Sequence, residues 1–540
     1  MTDVTIDHFT RAIEDISVHG DNDTLPFDID NGFIADNHDA LARMALSFSR
    51  DLQQAGKDKA RSIVEGLPVF SERLLVATGS AGFRITTKIH PFWNMYFNAL
   101  GVAIAEALEP QRSPRAHSYR FVKQGPSLFD REASWRTFRE ATLKDCQKQP
   151  NAMVVQTDIS SFYEHVSHHR IENLIDDLFP DSSTVSVQAD RFLSKFASGR
   201  SFGLPVGGQC SRILAELLMS SIDRNLADEK ITWRRFVDDF VLITQNQAEA
   251  YRALSILSHA LADYGLTLNR TKTVVLSAKH YADYVQAQLG TSEENANKLY
   301  EIDLHFDPYS DTADSDYNEL KSVVESLNVG ALLDSELKKG QPDAFLVTQI
   351  GRTLKLHDPK PALQLCSTFL SANNLHAFRG SWSTVMRGVA AVCADDRFSV
   401  IHGPLDSLLD AIPVHSPHLL MAEVSRLHYL KTIRFRRTQA RAEFVRSLHT
   451  NTSSQTVRRG CLECWRSWRD RPSFIRERNR WDSLRSEEQR MLWYVASELG
   501  DEGNKFRKQV RRSLVSGWSL GIEKENSPTF ASIYCDWKPK

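Results

Sequence analysis

Three things are scarce in this 540-residue chain, and each scarcity removes a class of explanation. Long apolar runs are missing: nothing approaches the ~20 uncharged apolar residues that a bilayer span requires. The opening MTDVTIDHFT likewise has neither the basic n-region nor the apolar h-region of a secretory signal. A cytoplasmic protein with no membrane partner is expected. Cysteine is sparse. The seven, an odd number scattered from Cys146 to Cys535, suit reduced thiols rather than a disulfide framework. Only Cys461 and Cys464 make a C-x2-C pair, and no second pair or close histidine completes a zinc site. Net charge is also small, 66 Lys and Arg against 68 Asp and Glu, a formal -2.

What is present is ordinary in bulk and uneven in placement. Apolar residues at 41% and charged residues at 25% describe a globular chain. Its length exceeds the roughly 250 residues at which one core stops growing, so two or more domains are expected. The charge is unevenly spread: residues 431–480 hold fourteen Lys and Arg against four Asp and Glu, a local +10 that leaves -12 for the rest. Along the chain, residues 1–60 read as a helical extension without a sharp motif. Residues 61–290 mix helices with short β-rich runs, AMVVQTDIS (152–160), FVLIT (240–244) and KTVVLSA (272–278). An acidic, turn-rich stretch at 291–318 reads as a linker, and 319–540 as short amphipathic helices. No fixed repeat period appears there, so a HEAT-like solenoid and a plain helical bundle both stay open.

The sharpest local puzzle is RRFVDDFVLI (234–243), where two adjacent aspartates interrupt an apolar run. Buried, unpaired carboxylates cost several kcal/mol each, so a cation must answer them unless they are solvated in a turn. TWRRF and FVLIT read as a β-hairpin with Asp238 and Asp239 at its tip. Eighty residues upstream, VVQTDISSFYEHV ends a strand in Asp158 and enters a helix. Three strand-borne acids in one mixed sheet could share two divalent metals, since hard oxygen ligands suit Mg2+. Two further elements follow in order: SFGLPVGGQCSRILAELLMSSIDRNL (201–226), glycine-rich and then helical, and YGLTLNRTKTVVL (264–276), which presents Lys272 before another apolar run.

In this order and spacing, DISSFY, GLPVGGQCS, FVDDF and GLTLNRTKT resemble the palm motifs of reverse transcriptases. The resemblance covers roughly residues 80–285, with HSYRFVKQGPSLF (117–129) similar to the segment between fingers and palm. It implies an α+β fold, right-hand polymerase fingers and palm followed by an all-α C-terminal domain. It also implies an RNA-directed DNA polymerase that uses dNTPs and two Mg2+ ions, or Mn2+. By that resemblance Asp158, Asp238 and Asp239 are the catalytic metal ligands, with the Ile159 carbonyl as an extra one, and Lys272 lies near the leaving pyrophosphate. Tyr163, beside Phe162, matches the bulky gate against a ribose 2'-hydroxyl. Gly207, Gly208 and Gln209 would pack on nucleotide and template, while Arg84 and Lys88 would grip the triphosphate. His165, His168 and His169 read as a polar helix face rather than ligands.

Two departures stand out. Val206 replaces the amide of the GLPQG pattern that many templated members carry, which puts faithful template reading in doubt. No endonuclease, RNase H or integrase motif follows the palm. The combination is similar to bacterial abortive-infection and defence-associated reverse transcriptases. That resemblance implies antiphage defence, homo-oligomers, and DNA made on a non-coding RNA or from a protein hydroxyl; Tyr309 and Tyr534 are candidates for that hydroxyl only because they look exposed. Alternatives are a retron or group II intron type enzyme, or an inactive palm scaffold with an RNA-binding helical domain. Within 431–480, Arg434, Arg436, Arg437, Arg441, Arg458, Arg459, Arg466 and Arg469, interleaved with Trp465, Trp468 and Trp481, form an expected nucleic-acid face.

Overall fold

The structure, a computed structural model, describes residues 4–79, 82–125, 127–289, 299, 313–339 and 342–538. Its six described strands fall into two sheets. Strands β1 (Ser71–Thr78) and β2 (Gly82–Ile89) form an antiparallel hairpin, the fingers. Strands β3 (Met153–Thr157), β4 (Thr232–Phe236), β5 (Asp239–Thr244) and β6 (Val274–Ser277) form the palm sheet in the order β4-β5-β3-β6. Every pairing between these four strands is antiparallel, which corrects the expectation of a mixed sheet; the one parallel bridge among the described residues joins Ala116 to Arg235 at the outer edge of β4.

The central strands β3 and β5 carry nearly unbroken apolar runs because both faces of the sheet are covered there. Val154, Val241 and Ile243 face the helices Trp135–Lys148 and Ala278–Leu289 through Phe138, Cys146 and Tyr281. Val155, Phe240, Leu242 and Trp233 join the main core, to which the helix Gln209–Asp228 contributes Ile213, Leu214, Leu217, Leu218 and Ile222. This core runs without a break from Val4 to Trp537. The helix Ile6–His19 packs on the buried helix Pro91–Leu108 behind the fingers and palm.

The C-terminal region is all helix among the described residues, from Ala313 onward; of the expected linker 291–318, only Leu299 and the start of the helix Ala313–Ser326 are described. Alternate helices stack on one another. Ala344–Thr353, Trp382–Ala394, Glu423–Ile433, Gln455–Trp468 and Ser486–Ser497 form one row, and Pro359–Leu370, His402–His415 and Gln439–Asn451 the other. Two rows of this kind are the packing of α-solenoids. No helix among the described residues is long and apolar enough to cross a membrane, and all seven cysteines are free and buried.

The stack docks on the fingers through reciprocal caps. Glu72 on β1 accepts hydrogen bonds from the backbone N–H groups of Gln455 (3.0 Å) and Thr456 (2.8 Å), the first turn of a helix whose free N–H groups favour an anion. In return Glu423 accepts from the Leu75 N–H at 2.9 Å, satisfying the open edge of β1.

Candidate active site

The β4–β5 hairpin turns through only Val237 and Asp238, with Phe236 paired to Asp239. Val237 sits at φ 55°, a left-handed conformation that a β-branched residue adopts only under constraint. The constraint is a buried ion network behind the turn. Ser118 Oγ accepts from the Val237 N–H at 2.8 Å, and the Arg235 guanidinium donates to the Val237 carbonyl at 3.2 Å. Arg235, fully buried, also binds Asp223 and Glu216 at 2.8 Å, and Glu216 is shared with Arg112 at 2.5 Å. Residues 115–117 line the free edge of β4, His117 donating to the Arg235 carbonyl and Arg235 N–H to the Arg115 carbonyl. The segment at 117–129 thus begins by bracing the aspartate turn.

Asp158 follows β3 directly. Since Thr157 pairs with Phe240, continuing the register places Asp158 opposite Asp239 at the same end of the sheet as the hairpin tip. The lysine motif is stitched to it by backbone: the Asn269 N–H donates to the Asp158 carbonyl at 2.8 Å, the Ser160 N–H to the Thr267 carbonyl at 2.9 Å, and Ile159 bridges Leu268. Lys272 is thereby delivered to Asp158 Oδ2 at 2.5 Å.

Asp158, Asp238, Asp239 and Lys272 line one cavity of about 560 Å3. Its other walls include Ile159, Phe162, Tyr163, Gly207 and Gly208, and Arg84 from β2. The electrostatics are those of charge left unanswered. Burial, then the neighbouring Asp239 and Asp158, push the Asp238 carboxyl up to about 6. Burial and Asp158 also raise Asp239, against the Arg139 guanidinium and Lys272. The hydrogen bond to Asp158 raises Lys272. One oxygen of Asp158 is buried with no hydrogen-bond partner. Among the described residues no group of three or more His, Cys, Asp or Glu side chains is gathered closely enough to hold a metal as it stands. The carboxylates repel one another and Lys272 covers one of them. The donor set nonetheless fits a hard divalent cation: three carboxylates, one with a spare buried oxygen, in a cavity where, among the described residues, Lys272 alone is ion-paired to one of them and Arg84 and Arg212 stand on the walls.

Of the expected nucleotide-binding residues, Tyr163 packs edge-on against Phe162 with ring centroids 5.5 Å apart, and burial raises its hydroxyl well above the usual phenol range. Arg84 is exposed at the cavity rim. Lys88 is a correction: it is 3% exposed and bound to Asp21 at 2.6 Å and Asp28 at 3.5 Å, so no phosphate can reach it. Gln209 begins its helix beside the cavity rather than lining it, and its side-chain Oε1 accepts from Arg212 at 2.8 Å. His168, 1% exposed, binds the Gly203 carbonyl, as a structural histidine does.

The arginine-rich stretch is the larger correction. Arg441 is bound to Asp406 and Asp410, Arg436 to Asp406, Arg434 to Glu463, Arg466 to Glu498, and Arg458 lies 3.6 Å from Glu488. Arg459, 4% exposed, binds Asp28 and Asp30. Of the eight expected contacts only Arg437 and Arg469 are exposed, and Arg469 lies 3.9 Å from Glu498. Trp465 and Trp481 are buried and Trp468 packs on the core, so none offers a free ring. Tyr534 is also buried, its hydroxyl on Asp30 at 2.6 Å, which removes it as a primer; Tyr309 lies outside the described residues. The sequence reading missed Arg112, Ser118, Glu216, Asp223 and Arg235. It also missed Arg212, which lines the cavity, binds Asp23 and stacks over Tyr119 at 5.1 Å. Only the apolar setting of Arg235 hinted at a buried partner.

An antiparallel sheet that carries three carboxylates at one end, above a cavity walled by fingers and a glycine-rich loop, is a polymerase palm. Residues 85–294 match the family model for reverse transcriptase, RNA-dependent DNA polymerase. They form a reverse transcriptase domain, the catalytic unit of RNA-directed DNA polymerases. The telomerase reverse transcriptases of Rattus norvegicus and Mus musculus are each 37% identical over 76 residues, 14% of this chain and 7% of theirs. The chain therefore spans a small fraction of the curated relatives it matches. Similar solved structures include telomerase from Candida albicans in complex with a fragment of telomeric RNA (12% identity, TM-score 0.33, 64% of this chain and 65% of that one). Apo telomerase from Candida tropicalis is another (13% identity, TM-score 0.31, 71% and 74%).

Proposed function

We propose that this protein adds deoxynucleotides to a growing DNA end, as a reverse transcriptase-type polymerase with two divalent cations, Mg2+ or Mn2+, at its centre. The observation that carries the reading is the convergence of Asp158, from the end of β3, and Asp238 and Asp239, from the β4–β5 hairpin, on one cavity where, among the described residues, only Asp158 is ion-paired, to Lys272. Asp158, Asp238, Asp239 and the Ile159 carbonyl would hold the cations, whose chemistry is to stabilise charge on the attacking and leaving oxygens. In the step itself a primer hydroxyl attacks the α-phosphorus of a dNTP, the bond to the β-phosphate oxygen breaks, and pyrophosphate leaves. Lys272, exposed enough to swing from Asp158, places a proton or positive charge against that leaving group. Arg84 at the rim binds the triphosphate, Tyr163 closes the space a 2'-hydroxyl would need, and Gly207 and Gly208 bring bare backbone against the nucleotide.

The setting we propose is bacterial antiphage defence in the cytoplasm, with a non-coding RNA as template or a protein hydroxyl as primer, and an oligomeric enzyme. The palm motifs followed by a long helical stack support that reading. Purified protein is tested with labelled dNTPs and Mg2+, with and without template, alongside Tyr163→Ala. The expected result is dNTP incorporation by the wild type and a gain of at least roughly tenfold in ribonucleotide use by the variant. A copurifying defined RNA, or product DNA that resists phenol extraction, separates the two priming schemes.

A further inference from the structure

The loop Gly20–Asp28 lies between the helical stack and the polymerase cavity and belongs to none of the four motifs. Asn22, 6% exposed, is its centre. Its side-chain amide donates to Thr86 Oγ1 at 3.0 Å and the Thr87 carbonyl at 3.1 Å, both on β2, and to the Val206 carbonyl at 3.2 Å. Its own carbonyl accepts from the Thr24 N–H at 3.0 Å and hydroxyl at 2.7 Å. Thr86 Oγ1 donates to the same Val206 carbonyl at 2.8 Å, and the Asp23 N–H donates to the Gly207 carbonyl at 3.0 Å. Asn22 also packs on the bare α-carbon of Gly207: at its φ of +107°, a Cβ there would lie 2.1 Å from Asn22 Oδ1. The other side of Val206–Gly208 lines the cavity, together with Asp23 and Thr24. One buried amide therefore joins the fingers to the glycine-rich loop.

The outer side of the same loop is held by the helical stack. Arg387 donates to the Asp23 carbonyl at 2.8 Å and the Leu25 carbonyl at 3.0 Å, and His428 to the Thr24 carbonyl at 2.9 Å. Three consecutive carbonyls thus end on side chains of two stacked helices.

We propose that Asn22 is a positioning residue for the nucleotide. It fixes the Val206–Gly208 backbone against β2 at the height the base and sugar need, and Arg387 extends that support from the helical stack, making the stack part of the dNTP site. The inference rests on the polymerase reading above. The test is steady-state dNTP incorporation by the wild type, Asn22→Ala, Asn22→Asp and Arg387→Ala, with thermal melting of each. Losing buried hydrogen bonds to the cavity wall is expected to raise KM for dNTP about tenfold in both Asn22 variants, with kcat within about threefold. Asp keeps the acceptor for Thr24 but not the donors to Thr86 and Val206, so it is expected to behave like Ala. Arg387→Ala is expected to raise KM about threefold. If an Asn22 variant does not fold, the Arg387→Ala result decides. Unchanged KM, a fall confined to kcat, or full rescue by Asp overturns the proposal while leaving the polymerase reading intact. No incorporation by the wild type overturns that reading, and this inference with it.

Discussion

The palm cavity and the arginine-rich stretch at 431–480 are both strongly charged, and they use charge in opposite ways. In the stretch nearly every cation meets an acid, most of them supplied from outside the window: Asp28, Asp30, Asp406, Asp410, Glu488, Glu498 and Glu502. The local excess of positive charge is answered by the negative remainder of the chain. At the palm three carboxylates face one another with Lys272 paired to one of them, and burial, together with the neighbouring carboxylates, raises Asp238 and Asp239 above the usual carboxylate range. Charge that the fold neutralises is scaffold. Charge left unneutralised in a cavity is where a ligand is required.

The comparison can be broken by removing one cation from each kind of place. Arg235→Ala should have the largest effect on stability, about 3–5 kcal/mol by denaturant titration, because it strands buried Asp223 and Glu216 and unlocks the Val237 turn. Arg459→Ala should cost nearly as much, about 3 kcal/mol, through Asp28 and Asp30. A mere surface arginine would cost almost nothing, so a small effect there would restore the nucleic-acid face. Acidification sharpens the same point. Burial holds His428 at about 3, below its ordinary value of 6.5, so the neutral form is the folded one. A depressed folded value gives stability that is fully present above pH 6.5 and lost as pH falls toward 3, at most about 1.4 kcal/mol per pH unit. His428→Asn should flatten that slope in melting curves between pH 6.5 and 5. In the palm the sign reverses: without divalent cations, Asp239→Asn should leave stability unchanged or raise it by about 1 kcal/mol at pH 8, since it removes a repelling charge. Arg437→Ala, exposed and without an acidic partner among the described residues, should change stability by less than about 0.5 kcal/mol.

Much of the site was legible because its signals are local. Apolar runs marked β3, β5 and β6, the two-residue connection marked the hairpin, and glycine marked the loop at 207 whose φ no other residue adopts easily. What was not legible depends on partners distant in sequence. Lys88 reads as a free cation until Asp21, 67 residues earlier, is found against it. Tyr534 reads as exposed until Asp30 meets its hydroxyl, 504 residues away. The arginines of 431–480 read as a binding face because composition counts charge without counting the acids that come to meet it. The mixed-sheet expectation failed for a related reason: strand direction is set by how β3 enters between β5 and β6, which periodicity does not record.

The central claim is that Asp158, Asp238 and Asp239 act together on a deoxynucleotide. The most direct measurement is labelled dNTP incorporation in Mg2+ by the wild type and by Asp238→Asn, with circular dichroism and melting of both. The account predicts incorporation by the wild type and a loss of at least about a thousandfold in a variant that folds and melts no lower. Incorporation that persists in Asp238→Asn would contradict it.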